Sequence, residues 1–268
     1  MMPPARERLD VRVPRIRLFE DEEILAKKGA RMFLETLLSI VGDRETFYVI
    51  LSGGQTPRSL YEEIGRILSS WPPARKNRIL WVPSDERMVP PTDSDSNDRM
   101  IRETLVRRAG FPDANLERMR GESPLPEKEA LRFEHRLLEL FRDPGPHPPE
   151  FDWGFLGVGD DGHTASLFPG SAAELEHRKL VLSVPETPGR MARLTLSYRL
   201  LARSRRLVFV CTGERKRAIL KKILVELYPC PVQDLMTLHF EKDRVPEFWV
   251  DRAAHDSALD RITLRESP

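Results

Sequence analysis

Four short apolar runs, at residues 47–51, 79–82, 153–158 and 207–211, alternate with longer amphipathic segments, and this alternation constrains the fold more than any other feature. The run Phe47-Tyr48-Val49-Ile50-Leu51 is too short for a buried helix and rich in strand formers, so it suits a strand covered on both faces. The segments between carry apolar residues at helical spacing. In 20–41, Leu25, Met32, Phe33, Thr36, Leu37 and Ile40 share one face, and Gly42 marks the end. Further helices are expected at about 57–68, 97–109, 126–142 and 214–227, the last with Leu220, Ile223, Leu224 and Leu227 on one side. Strands alternating with helices imply an α/β fold, a doubly wound, mainly parallel sheet with helices on both faces. Asp143-Pro-Gly-Pro-His-Pro-Pro149 is the strongest break in the chain, but the same alternation stands on both sides of it. A single domain with a surface loop there is therefore expected. Leu194 and Leu196, alternating with Thr195 and Ser197, predict a half-exposed strand, antiparallel at an edge.

Charge and length narrow the class. Lys and Arg number 43 against 42 Asp and Glu, a net charge of +1 scattered along 268 residues. Nucleic acid and anionic membrane both demand a concentrated positive field, so neither is expected as a partner. No apolar stretch approaches the roughly 18 residues of a membrane span, and residues 1–17 lack the apolar core of a signal peptide. Cys211 closes an apolar run and Cys230 stands between two prolines, a pattern that suggests neither a disulfide framework nor a zinc site. A cytoplasmic protein is the expectation.

In open α/β sheets, ligands bind beyond the carboxyl ends of the strands, and four strand ends here lead into polar or glycine-rich loops. Ser52-Gly53-Gly54-Gln55-Thr56-Pro57 follows the first run, with Thr56 a good N-cap and Pro57 suited to the first helical turn. Paired glycines beside a helix start make an anion site, most plausibly for phosphate, although an ordinary tight turn would read the same way. Ser84-Asp85-Glu86-Arg87 follows the second run and is either a solvated charge cluster or a guanidinium placed to grip phosphate. The third loop, from Gly157 to Pro169, contains G-x-G-x-x-G. Asp160 and Asp161 occupy the turn a pyrophosphate would need, and Pro169 cuts short the following helix, so a dinucleotide site is rejected. What remains is Asp161 two residues before His163. An unperturbed imidazole titrates at about pH 6.5, which suits a general base acting on water. The fourth loop, Thr212-Gly213-Glu214-Arg215-Lys216, puts a lysine at a helix start, either solvated or facing a bound anion. No G-x-S-x-G, P-loop, H-E-x-x-H or paired C-x-x-C is present, so a hydrolase built this way uses water as nucleophile and implies no metal.

Together these loops resemble the 6-phosphogluconolactonase family. The resemblance rests on Ser52-Gly-Gly-Gln-Thr-Pro57, on Asp85-Glu-Arg87 followed by Val89-Pro90, and on Ser96-Asn97. It continues through Gly159 to Pro169 (GDDGHTASLFP), Arg193-Leu-Thr-Leu196, Gly213-x-x-Lys216 and the stretch 249–254, covering about residues 18–255. That span is taken as the domain, with 1–17 as an N-terminal extension and first-strand region and 256–268 as a tail. The resemblance implies hydrolysis of 6-phospho-D-glucono-1,5-lactone in the oxidative pentose phosphate pathway, without cofactor, by a monomer or weak dimer. It implies His163 as the base with Asp161 close by. Ser52, Gly53, Gly54, Thr56, Arg87 and Lys216 would hold the phosphate, with Asp85 and Arg193 also contacting substrate. Three positions depart from the family's usual pattern. Ser84 replaces glycine, Asp93 a frequent histidine, and Asp160 a common proline, the last adding a negative charge beside the proposed base. Two other readings stay open. A glucosamine-6-phosphate deaminase or isomerase shares the fold but typically shows Phe-Asn-Glu-Pro where this chain has Ser166-Leu-Phe-Pro169. A non-catalytic sugar-phosphate sensor would need a DNA-binding segment, for which the stretch ahead of the first helix is too short.

Overall fold

The computed structural model describes residues 12–41, 46–141 and 148–262. Gly42, most of the proline-rich loop (143–147), residues 1–11 of the expected extension and 263–268 of the expected tail lie outside the described residues. Nine strands are present among them: β1 (Arg15–Phe19), β2 (Phe47–Leu51), β3 (Ile79–Pro83), β4 (Asp85–Arg87), β5 (Trp153–Leu156), β6 (Val181–Val184), β7 (Arg193–Leu196), β8 (Arg206–Cys211) and β9 (Glu247–Asp251). Six form one sheet in the order β1-β9-β8-β5-β2-β3, with every neighbouring pair parallel. A small antiparallel sheet, β4-β7-β6, stands beside it.

Side chains of a strand alternate between faces, and both faces of the large sheet are covered. Val49 and Leu51 point into a core with Phe33, Tyr61, Trp81, Trp153 and Trp249, under the helices Glu22–Val41 and Arg58–Leu68. Ile50 points the other way, into a core with Phe133, Leu156, Phe209, Leu220 and Leu235, under the helices Pro126–Leu140, Arg217–Leu224 and Pro231–Phe240. The first core is strongly aromatic, with Phe33 edge-on to Trp153 at a centroid distance of 5.3 Å. Burying one such ring contributes roughly 1.5–3 kcal/mol. The expected doubly wound α/β fold is therefore present, and two-sided burial is why these strands read as unbroken apolar runs.

Topology decides where a ligand can bind. From β2 the chain moves outward to β3, then returns to place β5 on the other side of β2. That reversal opens a crevice at the carboxyl ends of β2 and β5. The four strands whose following loops carry polar motifs, β3, β2, β5 and β8, are consecutive neighbours in the sheet. At Ser84 the chain changes sheets. Its N–H donates to the Leu51 carbonyl in the large sheet, and its own carbonyl accepts from Leu196 N in the small one. Asp85 and Arg87 are thereby carried over the crevice.

Several sequence expectations need correction. Leu194 and Leu196 lie on an antiparallel strand, but β7 is central in its sheet and buried along with Thr195. Thr56 does not cap the following helix. Pro57 holds the cap position, no side chain closes it, and the helix begins at Arg58. The segment expected as one helix over 214–227 is a 3-10 turn, Glu214–Lys216, followed by the helix Arg217–Leu224. Leu227 lies beyond its end, exposed and with φ +53°, rather than on the apolar face. Among the described residues no helix is long and apolar enough to cross a membrane.

Candidate active site

A cleft of about 300 Å³ opens at the reversal point, lined by all four loops. Of the residues expected at the site, Ser52, Gly53, Gly54, Thr56, Asp85, Arg87, His163, Arg193 and Lys216 line it, and Asp161 stands beside His163.

His163 is held from two directions. Its backbone N–H donates to Asp161 Oδ1 at 3.0 Å, and its ring Nδ1 lies 2.5 Å from the same oxygen. Gly159 N–H donates to the His163 carbonyl at 2.8 Å, and the ring packs on Phe168 with centroids 4.5 Å apart. Burial would raise the Asp161 carboxyl, but hydrogen bonds and charge from His163 outweigh it and hold the group below the ordinary carboxylate range. An ionised carboxylate can only accept, so Nδ1 carries a proton, which in the neutral imidazole leaves the lone pair on Nε2. Two glycines of this loop leave room for neighbouring side chains. A Cβ on Gly159 would fall 2.1 Å from His163 Nδ1, and one on Gly162, where φ is +83°, would meet Cys230 at 2.7 Å. Ala165, also in the lining, is held at φ +50° without being glycine, a mark of local strain.

The opposite wall is built on Asp85. Its carboxylate accepts from Ser84 Oγ at 2.9 Å and Ser166 Oγ at 2.7 Å, with Arg193 Nη1 at 3.7 Å. Arg87 donates from Nη1 to the Asp95 carbonyl at 2.5 Å. The Nε atoms of Arg87 and Arg193 are buried without a partner among the described residues, so both guanidiniums retain donor capacity. Glu86 does not face the cleft. It accepts from the N–H groups of Arg87, Asn97 and Asp98 at 2.7–2.8 Å, tying the loop to the helix start at Asn97. Burial nonetheless pushes its carboxyl up to about 7.

Asn97 is a lining residue that sequence reasoning did not place in the site. Its side chain donates to the Asp85 carbonyl at 2.9 Å and packs on Gly53, where a Cβ would meet its Oδ1 at 1.9 Å. Gly53 is thus a close-approach glycine, whereas Gly54, at φ +92°, makes the turn. The signal was Ser96, an N-cap residue whose Oγ accepts from Arg99 N. Lys216 points into the cleft from the 3-10 turn after β8, and its Nζ donates to Asp160 Oδ1 at 2.6 Å. Arg215 reaches the other oxygen of Asp160 at 3.2 Å. Asp160 therefore engages two cations. Among the described residues no group of three or more His, Cys, Asp or Glu is arranged to hold a metal ion.

The fold and cleft are those of a sugar-phosphate enzyme scaffold, and the chain belongs to the family described as glucosamine-6-phosphate isomerases/6-phosphogluconolactonase, which matches residues 20–240. Among similar curated proteins, the 6-phosphogluconolactonase of Synechocystis is 33% identical over 210 residues, 78% of this chain and 85% of that protein. The human 6-phosphogluconolactonase is 34% identical over 186 residues, 69% of this chain and 71% of that one. The crystal structure of 6-phosphogluconolactonase from Thermotoga maritima superposes with a TM-score of 0.74 at 27% identity, covering 89% of this chain and 99% of that one.

Proposed function

We propose that this protein is a 6-phosphogluconolactonase, hydrolysing 6-phospho-D-glucono-1,5-lactone to 6-phospho-D-gluconate in the oxidative pentose phosphate pathway. The observation that carries the mechanism is the 2.5 Å contact between His163 Nδ1 and Asp161, beside a cleft bearing three cationic side chains. Water bound near Nε2 attacks the lactone carbonyl while His163 takes its proton. The tetrahedral intermediate collapses by breaking the bond from the carbonyl carbon to the ring oxygen, and the imidazolium returns the proton to that oxygen. Asp161 supports the imidazolium while it lasts. Arg87, Lys216 and the loop from Ser52 to Thr56 receive the phosphate, through two cations and the backbone N–H groups around Gly53 and Gly54. Asp85 and Arg193 frame the sugar. A lactone is a reactive ester, so a base and correct positioning suffice, and the scheme calls for no metal, cofactor or covalent intermediate. The reading extends to a cytoplasmic enzyme acting as a monomer or weak dimer, with residues 18–255 as the catalytic domain.

The test is 6-phosphogluconate formation from freshly made lactone by wild type, by His163→Ala and without enzyme, since the lactone also opens spontaneously. The wild type should far exceed the uncatalysed rate, and His163→Ala should lose roughly 10²–10⁴-fold in kcat while still binding 6-phosphogluconate. Near-normal turnover by His163→Ala would remove His163 from the base role.

A further inference from the structure

The phosphate-binding reading of the cleft leaves one charged group unused, the carboxylate of Asp160. It lines the same cleft as Lys216, accepts from its Nζ at 2.6 Å, and accepts from Arg215 at 3.2 Å. The lysine is mostly covered, with its side chain 19% exposed, whereas the Asp160 side chain is 54% exposed and Arg215 88%. Lys216 therefore has little freedom to leave the cleft, and Asp160 has room to leave Lys216.

We propose that Asp160 is a built-in competitor for the substrate's phosphate, occupying Lys216 in the empty cleft and yielding it when a phosphate dianion arrives. The proposal rests on the phosphate reading above and adds a residue that sets affinity and selectivity. A carboxylate and a phosphate oxygen ask the same thing of an ammonium group, a charge-assisted hydrogen bond at about 2.7–2.9 Å. An anion can take Lys216 only by offering more than Asp160 already supplies. A dianion does so and a monoanion does not, so sugar acids lacking a phosphate are refused at this subsite. Arg215, outside the cleft lining, remains as a partner for the displaced carboxylate and lowers the cost of its departure. Held below its ordinary carboxylate range chiefly by the Lys216 hydrogen bond, Asp160 stays charged throughout the neutral range. The charge count agrees with a tuned site, because the lining carries Arg87, Arg193 and Lys216 against Asp85 and Asp160. Removing Asp160 leaves three cations facing one carboxylate.

Calorimetric titration of the full chain with inorganic phosphate, 6-phosphogluconate and gluconate tests this without depending on turnover. Asp160→Asn should tighten inorganic phosphate and 6-phosphogluconate by roughly three- to tenfold, the range expected for a partly exposed charge pair. It should also raise gluconate binding and so narrow the preference for phosphorylated ligands. In a Lys216→Ala background the same substitution should change phosphate affinity by less than about twofold, since the contested cation is gone. A matching thermal midpoint shows that each variant is folded. Unchanged or weaker phosphate binding in Asp160→Asn, or an equal gain with Lys216 absent, overturns the proposal. The lactonase reading stands or falls separately on product formation, and a chain that binds phosphate as expected but turns over no lactone would keep this inference and lose that one.

Discussion

Arg87 shows how little of a residue's role lies in its type. Alone in the sequence it is a charge among charges, but the sheet change at Ser84 swings it over the crevice, and one Nη is tethered to the Asp95 carbonyl. Its buried Nε lacks a partner among the described residues, which suits a group that completes its hydrogen bonds with a ligand. Arg87→Ala should therefore raise KM at least tenfold and change kcat far less, as steady-state kinetics on the lactone would show. Asp160 is legible as a departure from pattern, but its cationic partners are not. Sequence adjacency sets it near His163, and the loop brings its carboxylate onto Lys216, a residue 56 positions away. Asp161, two residues from His163, lies against it because one short loop fixes that pair.

At the scale of the element, the strands buried on both faces were the easiest to read. Charge hides others: β4 is Asp85-Glu86-Arg87, and β9 opens on Glu247 and closes on Asp251, while β1, expected as a first-strand region within 1–17, spans Arg15–Phe19. β7 differs from expectation for a related reason. Thr195 and Ser197 suggested a wet face, but both are buried and bonded, Thr195 Oγ1 accepting from Ser166 N and Ser197 Oγ donating to the Lys179 carbonyl. A hydroxyl with a partner costs little to bury, so alternating polarity did not mean alternating exposure. The histidine loop was legible by its motif, but the reason for its glycines was not. Gly159→Ala should displace the imidazole and lower kcat by about a hundredfold, with the thermal unfolding midpoint little changed. A variant of near-normal kcat would show that the loop gives way without moving the ring.

For the molecule as a whole, the α/β class and the placement of the cleft followed from alternation and strand ends, but the order of strands did not, because parallel pairing leaves no local signature. The edge of the large sheet is fastened by charge. Buried Glu247 accepts from Arg17 Nε at 2.8 Å and Arg206 Nη2 at 2.7 Å, drawing β1, β8 and β9 together. Burial would raise its carboxyl, but these two guanidiniums outweigh that and depress it. The folded state thus holds this proton less tightly than the unfolded chain. The resulting stability is complete above the ordinary carboxylate range and is lost as pH falls through the depressed value. Glu247→Gln should be less stable at pH 7 and show a shallower acid decline below about pH 5, measurable by denaturant unfolding at a series of pH values. The same edge carries a consequence for synthesis. Among the described residues β1 lies at the margin of its sheet, paired with β9 alone. As the chain leaves the ribosome, residues 15–19 emerge before residues 247–251 and must wait for them to form their pairing. Vectorial growth therefore cannot close this sheet step by step, and the first strand stays unpaired while every strand between it and β9 is made.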